Sequence, residues 1–257
     1  MALRSRASGA GGRGADRASA EVALRDRLGA VAVLAGVGVF VTVFALAVRT
    51  PGTAYVWHLN MVSDLGDRSC HVRDARWICS PGHVLFNSGL ILTGGLLAVA
   101  GSLLLRLWGR ILAGSVVVMG VGLVVAGLFT ATDHGAIHLV GVVLALVAPG
   151  LGLLWSAARP ETGWLDSHRV VRGLLGGAAL LLAAESRLPD AVLPRGAGEL
   201  GIVFFLVSAL VVEAMRLRPG GGAGGSQGPT SRSADGTAAT PSASQSPVPR
   251  SAASADR

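Results

Sequence analysis

Lysine is absent from this sequence, and all 22 of its basic residues are arginine. Charge of either sign is thin: 14% of the 257 residues are charged, against about 25% in an ordinary soluble domain. Aromatic residues are fewer still, at 5%. No arginine cluster is interleaved with aromatics, so there is no surface on which bases would stack, and nucleic acid is not an expected partner. A soluble fold would need helices apolar on every side, which a chain of this size does not support.

Apolar residues make up 51% of the chain, and its mean hydropathy is +0.58. They gather in runs of about 20, the length that crosses a ~30 Å hydrocarbon core. The expected fold class is therefore an all-α integral membrane protein, a six-transmembrane-helix bundle with disordered termini. Its first partner is the lipid bilayer. The formal charge of +7 and pI of about 11.2 then read as orientation in the membrane and attraction to anionic lipid.

Residues 1–27 hold six arginines against three acids among Gly and Ala, a flexible basic arm. The run 28–48 is charge-free and longer than the 7–15 residues of a signal h-region, so it reads as a retained first span. Residues 49–80 form the longest loop, with Tyr55, Trp57 and Trp77 suited to the membrane boundary. Ser80-Pro81 reads as N-cap and N1 of the second span, 81–105. A basic turn at 106–110 leads to 111–130, and the Thr132–Gly135 turn to 136–155. The fifth run, 170–188, is the weakest, since it contains Arg172 and Glu185; Arg172 is expected to snorkel to the interface. The last span is 199–215. Residues 216–257 are rich in Gly, Ser, Ala and Pro and read as a disordered tail, which leaves 28–215 as the membrane domain.

The arginines of the arm, the 106–110 turn, the 159–172 segment and the early tail all fall on one side. The opposite turn at Asp133 has none. The positive-inside rule then places both termini in the cytoplasm of a multi-pass plasma-membrane protein. The first loop breaks the trend, with Arg49, Arg68, Arg73 and Arg76. In this topology Ser63, Asp64, Asn87, Asp133, His138 and Glu199 lie at or near the outward helix ends. Ionisable groups at membrane depth need partners or a task, so these six are expected to form one outward-facing polar cluster.

Cys70 and Cys79 share the outer loop, where a nine-residue separation favours a disulfide worth about 2–3 kcal/mol on loop-closure grounds. A metal site with His71 or His83 is the rival reading, but its spacing matches no standard zinc signature. His134 and His138, four apart, would share a helix face and with Asp133 make a candidate metal set, zinc being the implied ion. The competing reading has Asp133 capping the fourth helix and His138 bonding a neighbour. Asn87 is expected to bond across helices, and Ser88 becomes a nucleophile only beside a base. Gly173 and Gly177 have the small-xxx-small spacing of close helix packing.

Ser63-Asp64-Leu65-Gly66, Pro81 with Phe86-Asn87-Ser88-Gly89-Leu90, Gly127-Leu128-Phe129 to Asp133, His138, and Gly196-Ala-Gly-Glu199 follow one another in an order that resembles a membrane family known as domain of unknown function 998. The resemblance covers roughly 28–215; it implies six helices and no established activity. A more distant similarity is to the alkaline-ceramidase-like membrane hydrolases, which set Ser, Asp and a His-x-x-x-His pair around zinc. There the histidine pair sits on the last of seven helices; here it opens the fourth of six. Two functions follow. One is a non-catalytic pocket or structural module without cofactor that binds a lipid headgroup or membrane partner, or forms part of a transport path. The other is a metal-dependent hydrolase in which bound water attacks an amide or ester.

Overall fold

An apolar chain in lipid must satisfy its backbone internally, and a helix does so within one segment. The computed structural model describes residues 9–159, 167–188 and 190–217. Six helices follow in order: α1 (Gly9–Arg49), α2 (His83–Leu103), α3 (Leu105–Leu128), α4 (Gly135–Ala158), α5 (Ser167–Glu185) and α6 (Arg195–Met215). Among the described residues five are long and apolar enough to cross a membrane; the exception is α5, the run weakened by Arg172 and Glu185.

Several expected boundaries move. The arm expected to be flexible through residue 27 is helical from Gly9 onward, and Arg25 on that extension donates to the Ser102 carbonyl at 2.9 Å. The expected tail lies outside the described residues beyond 217. Ser80-Pro81 do not cap α2: its N-cap is Gly82, and the Ser80 hydroxyl instead donates to the Leu65 carbonyl at 2.6 Å. The 106–110 turn is one helical turn ending in a kink at Gly109 (φ 73°, ψ 166°), a conformation that glycine alone adopts readily.

Each helix packs on its neighbours in sequence, and α1 also meets α6. Buried residues from all six, among them Val33, Leu97, Val116, Leu153, Ala179 and Leu206, form one core cluster. A second cluster, with Val43, Phe86 and Leu90, lies at the other end beneath the segment that joins α1 to α2. Helix–helix contact here depends on missing side chains. A Cβ at Gly122 would come within 2.5 Å of the Ala145 amide nitrogen and 2.6 Å of the Gly141 carbonyl. The expected Gly173/Gly177 pair does not make such a contact, because a Cβ at Gly177 would meet nothing within 4 Å. Gly176 makes it instead, against Gly150 and Leu153 of α4. Gly122→Ala should therefore cost about 1–3 kcal/mol by overpacking, whereas Gly177→Ala should be neutral or stabilise by up to about 1 kcal/mol. Melting of both variants in detergent checks the pair; equal losses would contradict the packing.

The joining segment is not the irregular loop expected in an all-α chain. It contains a 3-10 turn η1 (Val62–Gly66) and an antiparallel hairpin of β1 (His71–Arg73) and β2 (Arg76–Ile78). Asp74 and Ala75 turn the hairpin, both at positive φ, as a two-residue loop of matching twist requires. Cys70 and Cys79 are joined across its base, and no free cysteine remains. Denatured without reductant, the protein should accept no maleimide mass tag, and two after reduction; two tags before reduction would contradict the bond.

Candidate functional site

The segment between α1 and α2 is held down as a cap by polar groups from α2, α6 and the α3–α4 turn. Asp64 of η1 is 4% exposed and takes a two-point ion pair from Arg76, Nε to Oδ2 at 2.9 Å and NH2 to Oδ1 at 3.3 Å. Its Oδ2 also accepts the Met61 amide at 2.9 Å. Burial alone would lower the Arg76 pKa, but the hydrogen bond and charge of Asp64, with Asp74 behind them, more than offset it and raise it. Asn87 Nδ2 on α2 donates to the Gly66 carbonyl at 2.9 Å. Glu199 on α6 accepts the Val62 amide at 2.9 Å. Asp67, fully buried, takes both the amide and the hydroxyl of Thr132 from the α3–α4 turn and lies 3.2 Å from Arg73.

These contacts explain the arginines that broke the charge trend. Arg68 lies 3.4 Å from Asp133, Arg73 pairs with Asp67, and Arg76 with Asp64 and Asp74. Three of the four first-loop cations are therefore matched locally by carboxylates. The expectation also missed Asp67, Arg73, Arg76 and Thr132 as members of the site. The signal was present, as three acids and three arginines are interspersed over 64–76. Trp57 and Trp77 are exposed, as boundary residues should be, while Tyr55 turns inward and sets its ring edge-on to Phe44 at 5.7 Å. The Tyr55 hydroxyl is buried without a hydrogen-bond partner among the described residues; burial first, then the charges of Glu199 and Asp64, push its pKa well above the ordinary range.

Beneath η1 lies a cavity of about 50 Å³, whose lining includes Ser63, Asn87, His138 and Glu199. A water needs roughly 10–15 Å³ on this measure, so there is room for a small group. The remaining wall is mostly apolar, with Phe40, Leu90 and Leu123. His138 is 8% exposed, and its Nδ1 is 2.8 Å from the Phe129 carbonyl. A carbonyl only accepts, so Nδ1 carries the proton. In the neutral tautomer Nε2 is an acceptor, and it is buried without a partner among the described residues.

The other candidates sit elsewhere. Asp64 is consumed by Arg76 under the hairpin. Asp133 does not cap α4: the N-cap is His134, and the Asp133 carboxylate accepts the Thr130 hydroxyl at 2.8 Å. His134 is exposed outside the helix and sets its ring against Phe129, so it does not share a face with His138. Ser88 is exposed, away from the cavity. Among the described residues no three His, Cys, Asp or Glu side chains converge to hold a metal. The set His134, His138 and Asp133 does not fit a zinc shell: one ring is turned away and the carboxylate is aimed at Thr130 and Arg68.

The fifth run also differs. Arg172 does not snorkel; it forms a two-point pair with Glu213 of α6, Nε to Oε1 at 2.7 Å and NH2 to Oε2 at 2.6 Å. Arg216 joins the same carboxylate at 3.2 Å. Comparison of the chain with protein-family models, curated proteins and solved structures finds no match.

Proposed function

We propose that this is a six-span plasma-membrane protein, both termini cytoplasmic, that binds an amphiphilic ligand in an outward-facing pocket under an ordered cap. Path geometry supports six crossings. The cap touches the starts of α4 and α6 through Asp67–Thr132 and a bond from the Ala197 amide to the His58 carbonyl. Helix α4 therefore leaves the cap end, and α5 must bring the chain back. Its 19 residues reach about 28 Å, close to the hydrocarbon thickness. Arg68, Arg73 and Arg76 of the cap are each paired with a carboxylate of the cap or of the α3–α4 turn, so they serve the fold of this segment.

The observation that carries the binding reading is His138 Nε2, a buried acceptor without a partner in a side chain that lines the cavity. A buried polar atom without a bond is destabilising by about 1–3 kcal/mol, a strain a ligand donor would relieve. The resemblance to the six-helix family belongs to this proposal. Its motifs gain a physical reason, since Gly66 meets the Asn87 side chain, Gly127 admits the α2 backbone at Asn87, and Gly196 admits the backbone at 58–60. No observation favours the zinc hydrolase. Native mass spectrometry from detergent tests the reading. The wild type should retain a non-covalent adduct that Val203→Phe, which fills the cavity wall, abolishes. Adduct-free spectra for both would count against a binding role.

A further inference from the structure

We propose that the pocket takes an aliphatic amine: an ammonium head on His138 and Glu199, with its alkyl tail directed into the bundle axis. The inference depends on the binding role above and names the chemistry of the occupant.

The head follows from which hydrogen-bonding capacities are left over. His138 has spent its N–H on Phe129 and offers the Nε2 lone pair. Glu199 accepts the Val62 amide and also a bond from the Ser63 amide, and a carboxylate with about four acceptor sites keeps capacity beyond these two. Asn87 has a donor on Gly66, which leaves Oδ1 as an acceptor. The free capacity is therefore that of acceptors, with Ser63 able to serve either way. Among the described residues no cation is in contact with Glu199; Arg76, on the same cap, is committed to Asp64 and Asp74. The complement is a group with several donors and a positive charge. An alkylamine, with a pKa of about 10.4 in reference compounds, would enter as the ammonium, and its charge beside Glu199 would favour the carboxylate form. A carboxylate or phosphate head would instead face Glu199, and among the described residues no arginine lines the cavity.

The tail follows from the second cavity. Next to the first lies another of about 40 Å³ that shares Phe40, Leu123, Leu146 and Val203 with it. Its wall is apolar apart from Thr93, whose hydroxyl already donates to the Gly36 carbonyl at 3.4 Å. The two spaces run from His138 toward the middle of the bundle, between α1, α2, α3, α4 and α6. Such a slot accepts an alkyl chain and gives a second polar group nothing to bind.

The test uses full-length protein in detergent with n-hexylamine, n-hexanol and hexanoate, read by thermal shift and titration. Hexylamine should bind at least tenfold tighter than hexanol, and hexanoate should not bind. Glu199→Gln keeps an acceptor for the Val62 amide; it should weaken hexylamine at least tenfold and leave hexanol unchanged. Val203→Phe should abolish binding of both. Across butyl-, hexyl- and octylamine, affinity rising with length identifies an amine-headed amphiphile, while flat affinity identifies a free small amine and removes the tail assignment. Hexanol or hexanoate binding as tightly as hexylamine would overturn the amine assignment while leaving the pocket a binding site. No binding by any of the three, with no response to Val203→Phe, would overturn the binding role itself. If Glu199→Gln does not fold, the amine-to-alkanol ratio of the wild type decides.

Discussion

Arg76→Met is expected to lower stability by about 3–5 kcal/mol, the range seen when one partner of a buried ion pair is removed. Both side chains are under 10% exposed, so Asp64 would be left as a buried carboxylate with only the Met61 amide to hold it. Because the penalty comes from the stranded charge and not from the loss of attraction, removing both charges should restore much of it. The double variant Asp64→Leu/Arg76→Met should therefore be more stable than Arg76→Met alone. Recovery should be partial, since the Met61 amide then loses its acceptor. Unfolding in detergent, followed by tryptophan fluorescence, reads both values, and proteolysis near the hairpin should accelerate in the single variant. A loss under 1 kcal/mol for Arg76→Met would mean that the cap is not anchored by this pair.

The opposite end of the bundle gives the second large effect. Glu213→Leu should cost about 3–5 kcal/mol, and more than Arg172→Leu. The order follows from sharing: Glu213 serves Arg172 and Arg216 together, so its removal leaves two guanidinium groups without that carboxylate. Removal of Arg172 leaves Glu213 still paired with Arg216. The pair adds a polar tie between α5 and α6 to the apolar packing of Ala179 and Leu182 against α6. Glu213→Leu should accordingly expose the α5 connections to protease before the rest of the chain. Equal stability of the two variants would contradict the shared role.

Helix positions were legible because a charge-free run of about 20 residues has few alternatives in a bilayer. The extension of α1 back to Gly9 was not, since a polar Gly- and Ala-rich stretch carries no apolar period to mark its start. Ser63, Asn87, His138 and Glu199 could be grouped in advance because each falls near the same end of its helix, and they line one cavity. Asp133 and His134 were misread for a local reason. The spacing of two histidines fixes a shared face only if both are helical, and His134 is the non-helical N-cap (φ −141°, ψ 57°). The pairing of Asp67 with Thr132 was hidden because it joins residues 65 apart, a separation that short-range patterns do not encode.

In the function proposed above, the His138 and Glu199 pocket opens to the outer face under the cap. Because both native cysteines are bonded to each other, a single introduced thiol reports its own position. Ser63→Cys places it in the pocket lining, and Arg106→Cys places it at the other end of the bundle. With a membrane-impermeant maleimide on intact cells, Ser63→Cys should label and Arg106→Cys should label only after permeabilisation. Labelling of Arg106→Cys in intact cells, with Ser63→Cys silent until the membrane is opened, would contradict the account.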